Sequence, residues 1–434
     1  MRFMYIAGDP GSGKSAVLLE AAIQACPHVN VLIVAPTGFQ VHSFKARLPE
    51  RDGIENIRVD TIQGVLNYKR PGPDGKVNWA PPSALRRIDL ILCDEASQYE
   101  DREWSRLFTS IKEQPHKPFT GLVADFQQLQ PVVSGDLCRQ FCEKMHTVRL
   151  DTVYRSKDEQ HLLFLNRIRF DQPGRSTLEE YFEDRHWYRQ SLPSCVRRGM
   201  ELAELHKEPF TWLTTTNKGA SEVCEAALDH KGLTAAELAT GYLCDPTSKS
   251  ELRILARRGI LLRLTRNFDK QRGFVNGALC EVCDSLRGNA VFTARLLGTG
   301  NMVLVHPMEE NGETFLPCCY GYATTIRRAQ GADLYHGCLY FDQKKPAGRG
   351  YGYVGVSRFK SRSGAHLYGK LRRTDFLPVG ADKEDDVLER GYYSVDSDDD
   401  EGCGLEYAFQ DDAADMEDVP DPASEQGNLL NDFV

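Results

Sequence analysis

The stretch "GDPGSGKS", Gly8 to Ser15, follows the apolar run "FMYIA" and leads into "AVLLEAAIQA", whose apolar residues recur at helical spacing. A strand, a glycine-rich turn and a helix in that order commit the front of the chain to an α/β layer whose loop can wrap a phosphate group. Its glycines let backbone N–H groups turn inward, Lys14 supplies a cation to β and γ phosphates, and the Ser15 hydroxyl suits Mg²⁺. The expected contacts to a nucleoside triphosphate are therefore Gly8, Pro10, Gly11, Ser12, Gly13, Lys14 and Ser15.

Periodicity extends this layer through the first 150 residues. "FMYIAG", "VNVLIVAP", "IENIRVD", "IDLILCDE" and "FTGLVAD" read as strands, several of them apolar throughout, as parallel strands buried on both faces are. Helical stretches follow from residue 151, and "FTWLTTTN" with "KGASEVCEAALDH" begins a second α/β unit. Short glycine-punctuated strands between 255 and 318 read as a small barrel or sheet inserted into that unit, which resumes at "CCYGYATTIRRAQG". The expected organisation is a first α/β domain over 1–150, a helical segment and the start of a second over 151–254, an inserted β-barrel over 255–318, the rest of the second domain over 319–380, and a tail over 381–434.

"IDLILCDEAS" closes a buried strand with Asp94 and Glu95. Asp94 is placed to hold Mg²⁺ through water, and Glu95 to polarise a water that attacks the γ phosphate. One strand later, "GLVADFQQLQPV" puts Asp125 and Gln128 at a strand end, where the Gln128 amide can register the γ phosphate or that water.

Phosphate loop, Asp-Glu pair and D-x-x-Q-L-x-P in this order resemble superfamily 1 helicases, and the second half extends the likeness. "LDTVYRSKDEQHLLFLNRIR" looks like that family's motif IV, "GYATTIRRAQGADL" motif V and "GYVGVSRFK" motif VI. "RLTRNFDKQRGFVNGALCEV" and "KPFTGLVADFQQLQPV" are similar to the PIF-type (petite integration frequency) and RecD-like branch, and the match runs from about residue 3 to 370. This resemblance implies two RecA-like domains and ATP- and Mg²⁺-dependent 5′-to-3′ movement on single-stranded or forked DNA. Arg155 would reach the nucleotide from the other domain, Arg358 would act as a second arginine finger, and Gln330 would also contact the nucleotide. Thr37, Phe39, Thr61, Gln63, Thr215, Asn217, Thr324, Thr325 and Arg327 occupy positions matching DNA-contacting motifs, with hydroxyls and amides on phosphates and Phe39 on a base. Ala124, Arg327, Ala329 and Gly355 depart from the usual residues, and none removes a phosphate ligand. Only seven residues precede Gly8, so the family's upstream helix with its adenine-contacting glutamine is not in this sequence, and either the chain is truncated or base recognition is weaker. A superfamily 1 RNA helicase and a nucleic-acid-binding module without turnover are the alternatives.

Charge supports a polyanionic partner. Residues 381–434 carry 19 Asp and Glu against 2 Lys and Arg, while the rest keeps 51 basic against 43 acidic residues. The acidic stretch, poor in apolar periodicity, is expected to be disordered, with solubility as its use and a regulatory DNA-mimicking or partner-binding role as the alternative. Thirteen scattered cysteines suit reduced thiols, and no histidine completes a zinc set with Cys280 and Cys283. No apolar run approaches the ~18 to 20 residues of a membrane helix, and a strand beginning after Met1-Arg2 leaves no room for a targeting peptide. A soluble intracellular monomer is expected, with the nucleus and an organelle both left open.

Overall fold

The computed structural model describes residues 3–50, 53–67, 81–129, 131, 137–269, 272–287, 290–310 and 312–379. The acidic segment and its expected disorder lie outside them. In the front lobe, β1 (Phe3–Gly8), β2 (Val31–Ala35), β3 (Ile57–Thr61), β4 (Leu90–Cys93), β5 (Phe119–Val123) and β6 (His146–Leu150) form one sheet in the order β3-β2-β4-β5-β1-β6. Every neighbouring pair is parallel. β2 reads Val-Leu-Ile-Val-Ala with all five residues buried, the composition needed by a central strand covered on both faces. The neighbours β4, β5 and β1 run into Asp94, Asp125 and the phosphate loop, so three candidate groups converge beyond their carboxyl ends. β6 escaped the sequence reading because it is an edge strand, "HTVRL", whose first four residues are exposed and leave no apolar alternation.

The remaining strands are, in chain order, β7 (His186–Trp187), β8 (Phe210–Thr214), β9 (Tyr242–Cys244), β10 (Arg253–Ile254), β11 (Leu261–Leu264), β12 (Leu279–Arg287) and β13 (Val291–Leu296). β14 (Met302–Val305), β15 (Met308–Glu310), β16 (Glu313–Leu316), β17 (Cys318–Tyr320), β18 (Ala323–Thr325), β19 (His336–Tyr340) and β20 (Ala365–Tyr368) complete them. The second lobe is the all-parallel sheet β18-β8-β19-β20-β7. Between β8 and β18 the chain builds an antiparallel sheet, β14-β13-β12-β11-β17, and a mixed one, β10-β9-β16-β15. β9 and β10 lie before residue 255 yet pair with each other and, through β9, with β16 of the inserted material. Cys280 is buried on β12, where burial pushes its thiol up to about 12, and Cys283 is half-buried on the same strand; both are free.

Helices Glu159–Phe170 and Arg175–Phe182 belong to the second lobe by packing: Phe164, Ile168, Leu178 and Phe182 share a core with Val354, Phe359 and Leu367. His161 joins the two sides. Its Nδ1 lies 2.7 Å from the Tyr181 hydroxyl and its Nε2 3.0 Å from the Phe359 carbonyl, so Nε2–H donates to the carbonyl and the ring is neutral. Burial holds its pKa down to about 4, from 6.5. The unfolded chain therefore binds a proton that the folded one refuses, and stability present above about pH 6.5 is lost as pH falls toward 4, by about 3 kcal/mol at the limit. Melting curves from pH 7.5 to 4.5 are expected to fall less steeply in His161→Gln than in the parent; parallel slopes would contradict this.

Candidate nucleotide site and nucleic-acid interface

Gly11 and Gly13 have φ of 79° and 82°, which turn the loop before α1 (Lys14–Ala25). Lys14 is buried, and its Nζ donates to the Gly8 and Asp9 carbonyls at 2.8 and 2.9 Å. Ser15 Oγ donates to both Asp94 carboxylate oxygens at 2.9 and 3.0 Å. Burial, then the neighbouring Glu95 carboxylate, raises the Asp94 pKa, which is the strain a bound cation would relieve. Hydroxyl and carboxylate oxygens so placed suit a hard divalent ion such as Mg²⁺. Tyr99 braces this strand end by donating to the Asp94 and Val34 carbonyls at 2.9 and 3.0 Å.

Glu95 adopts a left-handed φ of 47°, uncommon for a residue with a Cβ. Its Oε2 is buried with no hydrogen-bond partner among the described residues, and its side chain faces the phosphate loop. Unsatisfied buried carboxylate oxygens cost free energy, and strained backbone of this kind persists where the surroundings enforce it. A water between Glu95 and a γ phosphate would satisfy that oxygen. Gln128 is buried nearby, its Nε2 donating to Asp125 Oδ2 at 3.1 Å.

Pro10, Gly11, Gly13, Lys14, Ser15, Glu95, Gln128, Arg155 and Arg358 line one cavity of about 260 Å³. Ser12 sits buried within the loop and Gly8 ends β1; both hold the loop's shape from behind. Arg155 does not arrive from the other lobe, as the motif resemblance implied. Its segment follows β6, and the Tyr154 and Arg155 amides donate to the Gly11 carbonyl at 2.7 and 3.2 Å. The approach is so close that a Cβ on Gly11 would collide with that of Arg155. The second lobe instead contributes Arg358, which is 1% exposed and makes hydrogen bonds to the Val354 carbonyl and Ser357 Oγ at 3.1 and 2.8 Å. Burial, then Arg155, pulls its pKa down to about 10, so an anion arriving between the two arginines would be favoured. Gln330 lies outside this cavity: the turn after β18 aims its Nε2 at the Leu129 carbonyl, 3.3 Å away.

Three further groups at the site lie inside the motif stretches, yet the motifs give them no role. Tyr154 is 72% exposed beside the cavity, with its ring against Gly13. Arg169 bridges Asp9 of the loop and buried Asp125, the latter at 3.0 Å. Asp333 lines the cavity and pairs with Arg155. Arg169 closes the motif IV stretch, but "NRIRF" reads as an ordinary basic helix end; Tyr154 and Asp333 sit within the motif IV and motif V stretches, which is the only hint the sequence offers.

A second cavity, of about 610 Å³, is lined by Thr37 and Phe39 from the front lobe, Thr324 and Arg327 from the second, and Asn276 and Gly277 from the insertion. Phe39 is 40% exposed, so it is no core residue. Thr37 caps α2 (Gly38–Ala46) by accepting from the Gln40 amide at 3.3 Å. Asn217 and Thr325 line a small adjoining pocket with Arg263 and Arg328. The structure does not bring Thr61, Gln63 or Thr215 into either space. Thr61 caps the helix Ile62–Val65, Gln63 Nε2 donates to Glu103 at 2.6 Å, and Thr215 donates to Asp342.

Residues 1–189 match the family model described as an AAA domain. The ATP-dependent DNA helicase PIF1 of Danio rerio is 27% identical over 415 residues, covering 89% of this chain and 60% of that protein. Its Xenopus laevis counterpart is 24% identical over 406 residues, 87% of this chain and 59% of that one. The chain thus spans about three-fifths of these relatives' length. A Bacteroides Pif1 helicase crystallised with ADP-AlF3 and ssDNA has the same fold, with a TM-score of 0.60 at 16% identity over 91% of this chain and 94% of that one. Pif1 helicase from Candida albicans gives 0.57 at 17% identity over 90% and 96%. The chain is thus similar in sequence across both lobes to PIF1 helicases and shares the two-lobed fold of the Pif1 structures.

Proposed function

We propose that this chain hydrolyses ATP to move 5′-to-3′ along single-stranded DNA and unwind duplexes. The observation that carries the reading is that Lys14, Ser15 and Glu95 of one lobe share a cavity with Arg358 of the other. Lys14 exchanges the Gly8 and Asp9 carbonyls for β and γ phosphate oxygens. When bound between Ser15 and Asp94, Mg²⁺ supplies charge neutralisation at those phosphates. Glu95 accepts a proton from the attacking water, Gln128 orients that water, and Arg155 with Arg358 neutralises the transferring phosphoryl group. Loss of the γ phosphate removes the anion that joins the two arginines, so the lobes part. The larger cavity then changes width, because Thr37 and Phe39 ride on one lobe and Thr324 and Arg327 on the other.

Finer parts of the reading follow. Both arginines come from this same chain, which supports action as a monomer. Residues 1–150, and 151–254 with 319–380, are read as the two motor domains. The sheets between them share a core with β8, which supports one closed, barrel-like insertion over 255–318. The balance of −17 over 381–434 favours a basic protein partner for that segment. Work on DNA assigns such a protein to the nucleus or a DNA-bearing organelle; among the described residues no helix is long and apolar enough to cross a membrane.

ATP turnover measured with single-stranded DNA, with single-stranded RNA and without polymer tests the substrate. Stimulation by DNA and unwinding of forks with a 5′ overhang are expected; stimulation by RNA alone would replace DNA with RNA in the reading. Phe39→Ala is expected to weaken binding of a single-stranded oligonucleotide about 10-fold, since one aromatic-base stack is worth about 1–3 kcal/mol. Unchanged fluorescence anisotropy titrations would remove Phe39 from the interface.

A further inference from the structure

We propose that Asp333 is a positioning residue that holds Arg155 before a nucleotide binds and competes with the γ phosphate for it; the inference rests on the nucleotide-site reading above. Arg155 Nε lies 2.8 Å from Asp333 Oδ1, with the carboxylate about half exposed and the guanidinium largely covered. Both side chains line the phosphate cavity, so an incoming triphosphate meets an arginine already engaged by an anion. The pair also crosses the cleft. Arg155 is tied to the phosphate loop through its own amide on Gly11, whereas Asp333 belongs to the turn between β18 and β19 of the second lobe. Arg155 Nη1 makes a longer bond, 3.4 Å, to the Ser357 carbonyl on the same side.

Asp333 does not act on Arg155 in isolation from Arg358. The next residue, Leu334, donates its amide to the Arg358 carbonyl at 2.9 Å, and its own carbonyl accepts from Lys360 at 3.1 Å. The segments around 333 and 358 therefore move as one piece, and the ion pair keeps both arginines facing the loop despite their mutual repulsion. A γ phosphate that takes Arg155 releases Asp333, and departure of phosphate returns it. A diphosphate, which lacks the group Arg155 would hold, leaves the pair intact. The competition thus weakens triphosphate binding selectively and favours release of the cleaved phosphate.

The test is the ratio of affinities for a non-hydrolysable ATP analogue and for ADP, measured by calorimetry on the full chain. Asp333→Asn keeps size and removes the charge; because the pair is partly solvated, the ratio is expected to rise about 5-fold. Asp333→Glu should keep the parental ratio. In an Arg155→Ala background the Asn substitution should do nothing to it. An unchanged or lowered ratio in Asp333→Asn would overturn the proposal, as would the same gain with Arg155 removed. A role confined to fold stability would shift both nucleotides together and leave the ratio fixed. Failure of the parent chain to bind either nucleotide would sink the site reading itself, and this proposal with it.

Discussion

Glu95→Gln is expected to cut ATP turnover about 1000-fold while leaving nucleotide binding within a few-fold of the parent. The amide fills the same space, so the left-handed backbone at this position and the brace from Tyr99 to Asp94 stay as they are. What it lacks is the carboxylate oxygen, Oε2, that stands buried without a hydrogen-bond partner among the described residues and faces the phosphate loop. General-base catalysis contributes about 10²- to 10⁴-fold, and Lys14, Ser15 and the two arginines, which carry the binding, are untouched. Single-turnover hydrolysis alongside equilibrium binding separates the two effects. Retained turnover would mean that another group activates the water.

Arg358→Ala is expected to lower turnover by about 1000-fold or more, in line with the ~10³- to 10⁵-fold effect of an arginine on phosphoryl transfer. The side chain is almost wholly buried, its charge is disfavoured both by burial and by Arg155, and among the described residues it has no carboxylate partner within ion-pair distance. The Glu95 and Asp333 carboxylates offset part of that cost, and a phosphate arriving beside it would relieve the rest. Because Ala also leaves a hole, Arg358→Lys is the paired variant: it keeps the charge and loses the planar fork, and should recover only part of the rate. Both variants should melt within a few degrees of the parent at pH 7.5. Full turnover in Arg358→Lys would reduce the role to simple charge.

The front half of this site was legible because its chemistry is local. Gly8 to Ser15 and Asp94-Glu95 sit where strands end, and strand ends are readable from apolar runs such as "VLIVA" and "LILC". The two-lobed plan followed from the same signal. Arg155 shows where local reading stops: a motif gives the residue, but which side of the cleft it stands on depends on β6, an exposed edge strand without periodicity. Gln330 and Gln63 fail for another reason. Each is a long amide whose hydrogen bond goes to a nearby protein group, Leu129 or Glu103, a choice fixed only when distant segments pack. Thr215 is likewise claimed by Asp342, 127 residues further on. The Arg169 bridge from Asp9 to Asp125 joins three separate elements and has no linear pattern at all.

Coupling between the two cavities is the central claim, and affinity for a single-stranded oligonucleotide in different nucleotide states measures it directly. Fluorescence anisotropy titrations in a non-hydrolysable ATP analogue and in ADP are expected to differ by about 10-fold or more, equivalent to about 1.4 kcal/mol, and the difference should vanish in Arg358→Ala. Equal oligonucleotide affinities in the two states of the parent chain would contradict it.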